Sequence, residues 1–366
     1  MSSWTIDSGF PGGNILVDRI SGQDIYLRQD LRDSHWWWFY WSFRLRGGVG
    51  QRFNFHFTHG SPISHLGPAV SDDDGRTWRW LGSEWHKQAR FEYEIRSPGR
   101  TRFAHAWPYV DADLRAFVRR WTGRGPLQAG TLCISPNGWS VPLLRLGPPH
   151  ADQAVLLTCR HHCCESMASY LLEGLMEAAL DGAEDGGWLA RNVQLLVLPF
   201  MDADGVADGD QGKSRNERDH NRDYAGTSLY AETAALRRMA GDWPAGWIRL
   251  AMDMHCPFYD ERRIYLTEQP QCKDRAVRLS GLLEQTLSGP LPYSPAHNLQ
   301  GREVMPDGTT FVQWAAVLPG GPLATLLELP YALAGDVPVT GPSARRLGRD
   351  LARAMWLYLD PSAAQG

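Results

Sequence analysis

Short runs of alternating apolar and polar residues dominate the first third of the chain. Residues 36–45, 51–57 and 91–95 each read as a strand, and Gly47-Gly48, residues 71–75 and Ser97-Pro98-Gly99 read as the turns between them. Period-two segments parted by turn residues predict an antiparallel β-sandwich over residues 1–123. After Gly123 the pattern changes. Continuous apolar runs at residues 154–158, 193–199, 247–254 and 323–329 alternate with segments of helical period at 166–180, 228–239 and 343–359. Runs that are apolar on both faces belong to buried strands. Their alternation with helices predicts an α/β domain over residues 124–366, with a mixed, mostly parallel sheet and helices on both faces. Sites in such sheets form beyond the carboxyl ends of strands.

Composition narrows the function classes. Of 366 residues, 43% are hydrophobic and 21% charged, which suits a globular chain with a large core. A net charge of −4 gives no reason to expect nucleic acid or an anionic membrane as partner. The opening residues show no basic stretch followed by an apolar one, and no apolar run reaches transmembrane length, so a cytoplasmic setting is expected. The six cysteines form no Cys-x-x-Cys pair, and they read as small buried side chains in a reducing compartment. Aromatic residues crowd the first third. They read as a bulky sandwich core in preference to a carbohydrate-binding face. A homo-oligomer is left open.

Candidate chemistry starts at Arg160-His161-His162-Cys163-Cys164-Glu165, between a strand and a helix. His162 and Glu165, three apart at that turn, supply two of the three protein ligands of a catalytic zinc. With twelve histidines, roughly one His-x-x-Glu is expected by chance, so the pair needs company. His255 supplies it at the end of the third apolar run, and Asp253 is placed to orient an imidazole. Between them, residues 202–224 form a polar loop too long for an idle connection. Its aspartates do not match the twelve-residue calcium loop. Asn221 and Arg222 can clamp a carboxylate, which suits a planar guanidinium. Glu328 lies inside an apolar strand, where a carboxylate needs a partner or a task; accepting a proton from metal-activated water is such a task.

In order, His162-x-x-Glu165, Asp219-x-Asn221-Arg222, Asp253-x-His255 and Glu328 resemble the zinc metallocarboxypeptidase superfamily typified by carboxypeptidase A. The likeness spans roughly residues 125 to 360. The aromatic front, with Trp36-Trp37-Trp38-Phe39-Tyr40 and Pro108-Tyr109, resembles the N-terminal domain of the cytosolic carboxypeptidase branch, in a bacterial-type chain. The resemblance implies one Zn2+ per chain on His162, Glu165 and His255, with a position left for water. It implies Asp219 on a ligand imidazole, Asn221 and Arg222 on the substrate's terminal carboxylate, and Glu328 as base. It also implies a cation that polarises the scissile carbonyl, a position for which Lys213 and Arg215 compete. Val312, in a segment resembling the specificity loop, would meet the terminal side chain. Two departures stand out: Cys163-Cys164 replaces Pro-Gly, and no tyrosine lies near Met305, where the family has one.

The implied activity is hydrolysis of the C-terminal amide bond of a peptide or protein tail. A zinc-dependent deacylase or amidase of small N-acyl amino acids is the alternative on the same fold. A non-catalytic peptide-binding protein would have lost Glu328 or a ligand, and neither is lost. A carbohydrate binder with a merely structural zinc would show a closed four-ligand shell.

Overall fold

Alternating side chains build the front of the chain into two facing sheets in the computed structural model, which describes residues 4–182, 184–301, 309–360 and 362. β1 (Thr5–Asp7), β4 (Ser42–Arg46), β9 (Arg100–Ala104), β6 (Ala69–Ser71) and β7 (Arg79–Trp80) lie side by side in that order. The second sheet holds β2 (Leu16–Ser21), β3 (Asp24–Arg28), β5 (Arg52–Phe57) and β8 (Arg90–Glu94). Period two puts Phe53, Phe55 and Phe57 on one buried face of β5. Phe55 meets Phe43 and Phe103 of the opposite sheet at ring-centroid distances of 5.2 and 5.3 Å. Neighbours pair antiparallel except β3 and β5, which run parallel. The chain crosses to the other sheet through β4 between them, so no hairpin joins the pair.

The aromatic run at 36–41, expected within a strand, is instead an extended segment before β4. Its side chains serve different cores. Trp41 belongs to the sandwich, whereas Phe39 packs with the second part of the chain.

Besides a small two-stranded pairing of Leu333–Ala334 with Val337–Pro338, the remaining chain forms an eight-stranded sheet. Its strands are β10 (Leu127–Ile134), β11 (Ser140–Leu146), β12 (Ala154–Cys159), β13 (Gln194–Leu198), β14 (Ile248–His255), β15 (Tyr265–Glu268), β16 (Leu299–Gln300) and β17 (Leu323–Glu328). They follow the order β10-β11-β13-β12-β14-β17-β15-β16. The four inner strands, β13, β12, β14 and β17, are parallel, and β12 and β13 are buried at every position. This matches the expected mixed α/β class.

The helix α2 (Ser166–Leu180) starts six residues after β12 and is buried nearly throughout. It crosses the last helix, α8 (Gly341–Leu359), at very short range. A Cβ at Gly348 would lie 2.0 Å from the Leu171 carbonyl oxygen, and one at Gly174 2.0 Å from that of Arg345. Only glycine fits at either position. No helix among the described residues is long and apolar enough to cross a membrane. The parallel register places the carboxyl ends of β12, β14 and β17 next to one another.

Candidate active site

The turn after β12 is forced into shape by Arg160. Its φ is +61°, a left-handed conformation that costs a non-glycine residue about 1 kcal/mol or more. Its buried guanidinium offsets that cost by bonding the carbonyl oxygens of Cys163 (2.8 Å) and Tyr109 (2.9 Å) and the Ser169 hydroxyl (3.1 Å). The turn thereby aims His162 and Glu165 across the end of β14, whose last residue is His255.

One oxygen of Glu165 lies 2.9 Å from His162 Nδ1 and the other 2.7 Å from His255 Nδ1. Donor atoms of the three residues all fall within 4.8 Å of one another, and Glu165 is completely buried. The outer nitrogens face carboxylates. His162 Nε2 is 3.6 Å from Asp219 Oδ2, and His255 Nε2 is 2.5 Å from Asp253 Oδ2. Asp253 is the partner of His255 Nε2, Asp219 lies near His162 Nε2, and both Nδ1 atoms face the oxygens of Glu165. The charge of this buried carboxylate is offset by the cationic groups around it, and a metal ion held by the same three donors would serve that purpose. The donor set, two imidazoles and a carboxylate, is that of a divalent metal site. Burial opposes charge on His255, but Asp253 and Glu165 outweigh it and hold its pKa well above the usual histidine range. Burial likewise opposes the charge of Asp219 and Asp253, and their histidine partners hold both well below the usual carboxylate range.

Glu328 ends β17 directly opposite His255 in the parallel register. Burial pushes its carboxyl up to about 7 against the pull of His255, with Glu165 adding to the rise. Its Oε2 is buried without a hydrogen-bond partner among the described residues. Such an orphaned acceptor beside the His162–Glu165–His255 cluster is a candidate for a chemical task.

The polar loop supplies the cations. Lys213 places its ammonium 2.5 Å from Glu165 Oε1 and 5.0 Å from the Trp38 ring centroid. Burial works against its charge, and Glu165 more than restores it. Arg215 points elsewhere: its guanidinium meets Asp202 (2.9 Å), Asp33 (3.1 Å) and Asp210 (3.3 Å). A cavity of about 360 Å³ opens at this point, lined by His162, Lys213, Arg215, Arg218, Asp219 and Arg222 among others. Asn221 is buried; its amide lies 3.4 Å from His255 Nε2, and its oxygen accepts the Phe311 N–H at 3.1 Å. Arg222 is 4.0 Å from Asp219 Oδ1. Val312 sits in the short helix α7 (Phe311–Ala316) and is buried. The position near Met305 lies outside the described residues.

Sequence reasoning passed over several groups. His161 is buried between Asp253 Oδ1 (2.8 Å, from Nδ1) and the Tyr224 hydroxyl (2.6 Å, from Nε2). Asp253 thus orients two imidazoles, with Thr158 donating to it at 2.8 Å. Tyr265 stands opposite Glu328 in the β15–β17 pairing. The front of the chain holds the polar loop. Asp33 accepts the backbone N–H groups of Gln211 and Gly212, Asn14 donates to the Gly209 carbonyl, and the Gln211 oxygen accepts the Tyr40 N–H. The adjacency of His161 to His162 was the only local signal among these. Cys159, Cys163, Cys164 and Cys256 are buried free thiols, and burial pushes Cys164 up to about 12.

No protein-family profile matches the chain. In sequence it is similar to cytosolic carboxypeptidase 2 of Xenopus tropicalis, 28% identical over 257 residues, covering 60% of this chain and 26% of that protein. It is also similar to human cytosolic carboxypeptidase 2, 33% identical over 134 residues, or 33% of this chain and 15% of that one. The chain therefore spans about a quarter or less of the length of these relatives. In structure it resembles the metallo-carboxypeptidase of Burkholderia cenocepacia, with a TM-score of 0.80, 18% identity and coverage of 99% of this chain and 100% of that one. It also resembles the Pseudomonas aeruginosa metallo-carboxypeptidase solved with (2-guanidinoethylmercapto)succinic acid, with a TM-score of 0.78, 19% identity and coverage of 96% and 98%. At these identities the structural likeness speaks for the fold alone. The chain thus has the fold of the bacterial metallo-carboxypeptidases and is similar in sequence to the cytosolic carboxypeptidases.

Proposed function

We propose that the protein is a zinc-dependent carboxypeptidase that cleaves the C-terminal amide bond of peptides or protein tails. One observation carries this reading: the donors of His162, Glu165 and His255 lie within 4.8 Å of one another at the end of β14, beside the orphaned carboxylate of Glu328. Those three residues would hold the metal. Zinc there supplies Lewis acidity toward water and the scissile carbonyl.

The rest of the chemistry belongs to the chain. Glu328, with a pKa poised near neutrality by burial, takes the proton that the attacking water gives up and hands it to the departing amine. Lys213 has three N–H donors, and those not spent on Glu165 are free for the oxyanion that builds on the carbonyl. The partners of Arg215 are three carboxylates, which favours Lys213 in this role. Arg222 pairs with the substrate's terminal carboxylate while Asn221 holds position between His255 and Phe311. Asp219 and Asp253 orient the two ligand imidazoles. Val312 would meet the substrate's terminal side chain. The six free cysteines go with a reducing, cytoplasmic setting.

The cavity of about 360 Å³ beside the cluster also suits a small N-acyl amino acid, which keeps the deacylase reading as the second candidate. Both are tested by incubating the zinc-loaded protein with a mixed peptide library and with N-acyl amino acids, with and without 1,10-phenanthroline. Chelator-sensitive release of single C-terminal residues, read by mass spectrometry, supports the carboxypeptidase. Cleavage of the acyl amino acids alone transfers the assignment to the deacylase, and no cleavage of either kind overturns both.

A further inference from the structure

A second group of two histidines and one carboxylate lies away from the site above, at the seam between the front sheets and the segment that follows β14. His65 and His86 come from loops of the front; Asp260 lies five residues beyond His255. Their donor atoms also fall within 4.8 Å of one another. His65 Nε2 is 3.5 Å and His86 Nε2 3.6 Å from the same oxygen, Asp260 Oδ1. Metal–ligand bonds of about 2.0–2.1 Å in a tetrahedral arrangement place neighbouring donors about 3.3–3.5 Å apart, so two edges of the required triangle are already in place.

Hydrogen bonds already hold the group together: His65 Nε2 lies 3.1 Å from the Asp260 backbone oxygen. His65 Nδ1 and His86 Nε2 are 3.0 Å apart, close enough to share a single proton, so while both rings are neutral one nitrogen must accept from the other. His86 Nδ1 is buried and has no hydrogen-bond partner among the described residues. The carboxylate is meanwhile held in orientation: Lys87 sits 3.4 Å from Oδ2, leaving Oδ1 to the imidazoles.

The surroundings say what such a site would do. The residues just before Asp260 pack into the front: Phe258 meets Phe39 at a centroid distance of 5.4 Å and Tyr259 meets it at 5.1 Å. This segment runs directly off the strand that ends in His255, and the front sheets reach it through side-chain packing and the His65–Asp260 contact.

We propose that His65, His86 and Asp260 form a second metal site, which takes a divalent transition ion of the zinc type and clips the front sheets to the segment behind His255. The role is structural. It adds a covalent-strength tie at a seam otherwise closed by aromatic packing, and it stabilises only the folded state, since the three ligands are far apart in the unfolded chain.

The test is zinc stoichiometry. The full chain is equilibrated with excess zinc chloride, desalted and assayed by elemental analysis, alongside His255→Ala, His86→Ala and Asp260→Asn. Wild type is expected to retain two zinc ions per chain. His255→Ala should keep the one at the seam, and His86→Ala and Asp260→Asn should keep the other. Asp260 is exposed, so its variant reports even where His86→Ala does not fold. Zinc should raise the melting temperature of His255→Ala by several degrees, and that rise should vanish in His255→Ala/Asp260→Asn. One zinc in wild type together with none in His255→Ala overturns the second site and leaves the first intact. Two zinc ions in wild type, unchanged in both seam variants, overturn it equally.

Discussion

Two of the His–His–carboxylate groups among the described residues are built on opposite principles. In the first, His162, Glu165 and His255 hang from the ends of β12 and β14, strands buried at nearly every position. Their outer nitrogens face Asp219 and Asp253, and the carboxylates behind them are themselves fixed by neighbours such as Thr158. In the second, His65, His86 and Asp260 hang from loops, the carboxylate is exposed, and one imidazole nitrogen has no partner among the described residues. Equal donor sets thus carry different amounts of support. A supported set keeps its geometry when emptied and can leave a position open for chemistry. An unsupported one depends on the ion to complete it, which suits a clip and not a catalyst.

That contrast can be broken from either side. The largest effect is expected from Glu328→Gln, which removes the base and leaves the ligands: turnover should fall by about a hundredfold to ten-thousandfold while metal content stays at the wild-type value. Elemental analysis and steady-state rates check this together, and retained turnover would remove Glu328 from the mechanism. Next is Arg222→Ala, whose kcat/KM should fall by roughly a hundredfold on peptides with a free C-terminus and far less on substrates blocked there by amidation. Equal losses on both would end its role as the carboxylate clamp. Asp219→Asn should weaken metal affinity by about tenfold to a hundredfold, read by competition with a chelating dye, because it loosens an imidazole without touching the ion. No change would mean that the buried cluster owes nothing to its outer carboxylates. The smallest effect belongs to the seam: Asp260→Asn should lower the melting temperature of the zinc-loaded protein by a few degrees in differential scanning calorimetry. A larger loss than that from Asp219→Asn would invert the comparison.

How much of this was readable beforehand follows the same division. That His162, His255 and Glu328 would lie at one sheet edge was legible because His162 and His255 follow apolar runs and Glu328 lies inside one, where a polar residue in a parallel sheet stands out. The sheet itself was legible for the same reason, with β14 and β17 found within a residue of their true ends. The competition between Lys213 and Arg215 was not resolvable in sequence, since it turns on Asp33 and Asp202 being near one and Glu165 near the other. Asp33 lies 182 residues from Arg215, and no local pattern encodes a contact of that span. The run at 36–41 was misread as strand because its aromatics alternate; the structure divides them between two cores, a choice made by tertiary packing. His65, His86 and Asp260 sit in loops without periodicity, where nothing marks three residues as neighbours.

The most direct test of the central claim is anomalous diffraction at the zinc absorption edge from crystals of the zinc-loaded protein. The account predicts a peak about 2.0–2.2 Å from His162 Nδ1, His255 Nδ1 and a Glu165 oxygen together. A map with no peak among those three side chains, in crystals whose zinc content is proven by fluorescence, would contradict it.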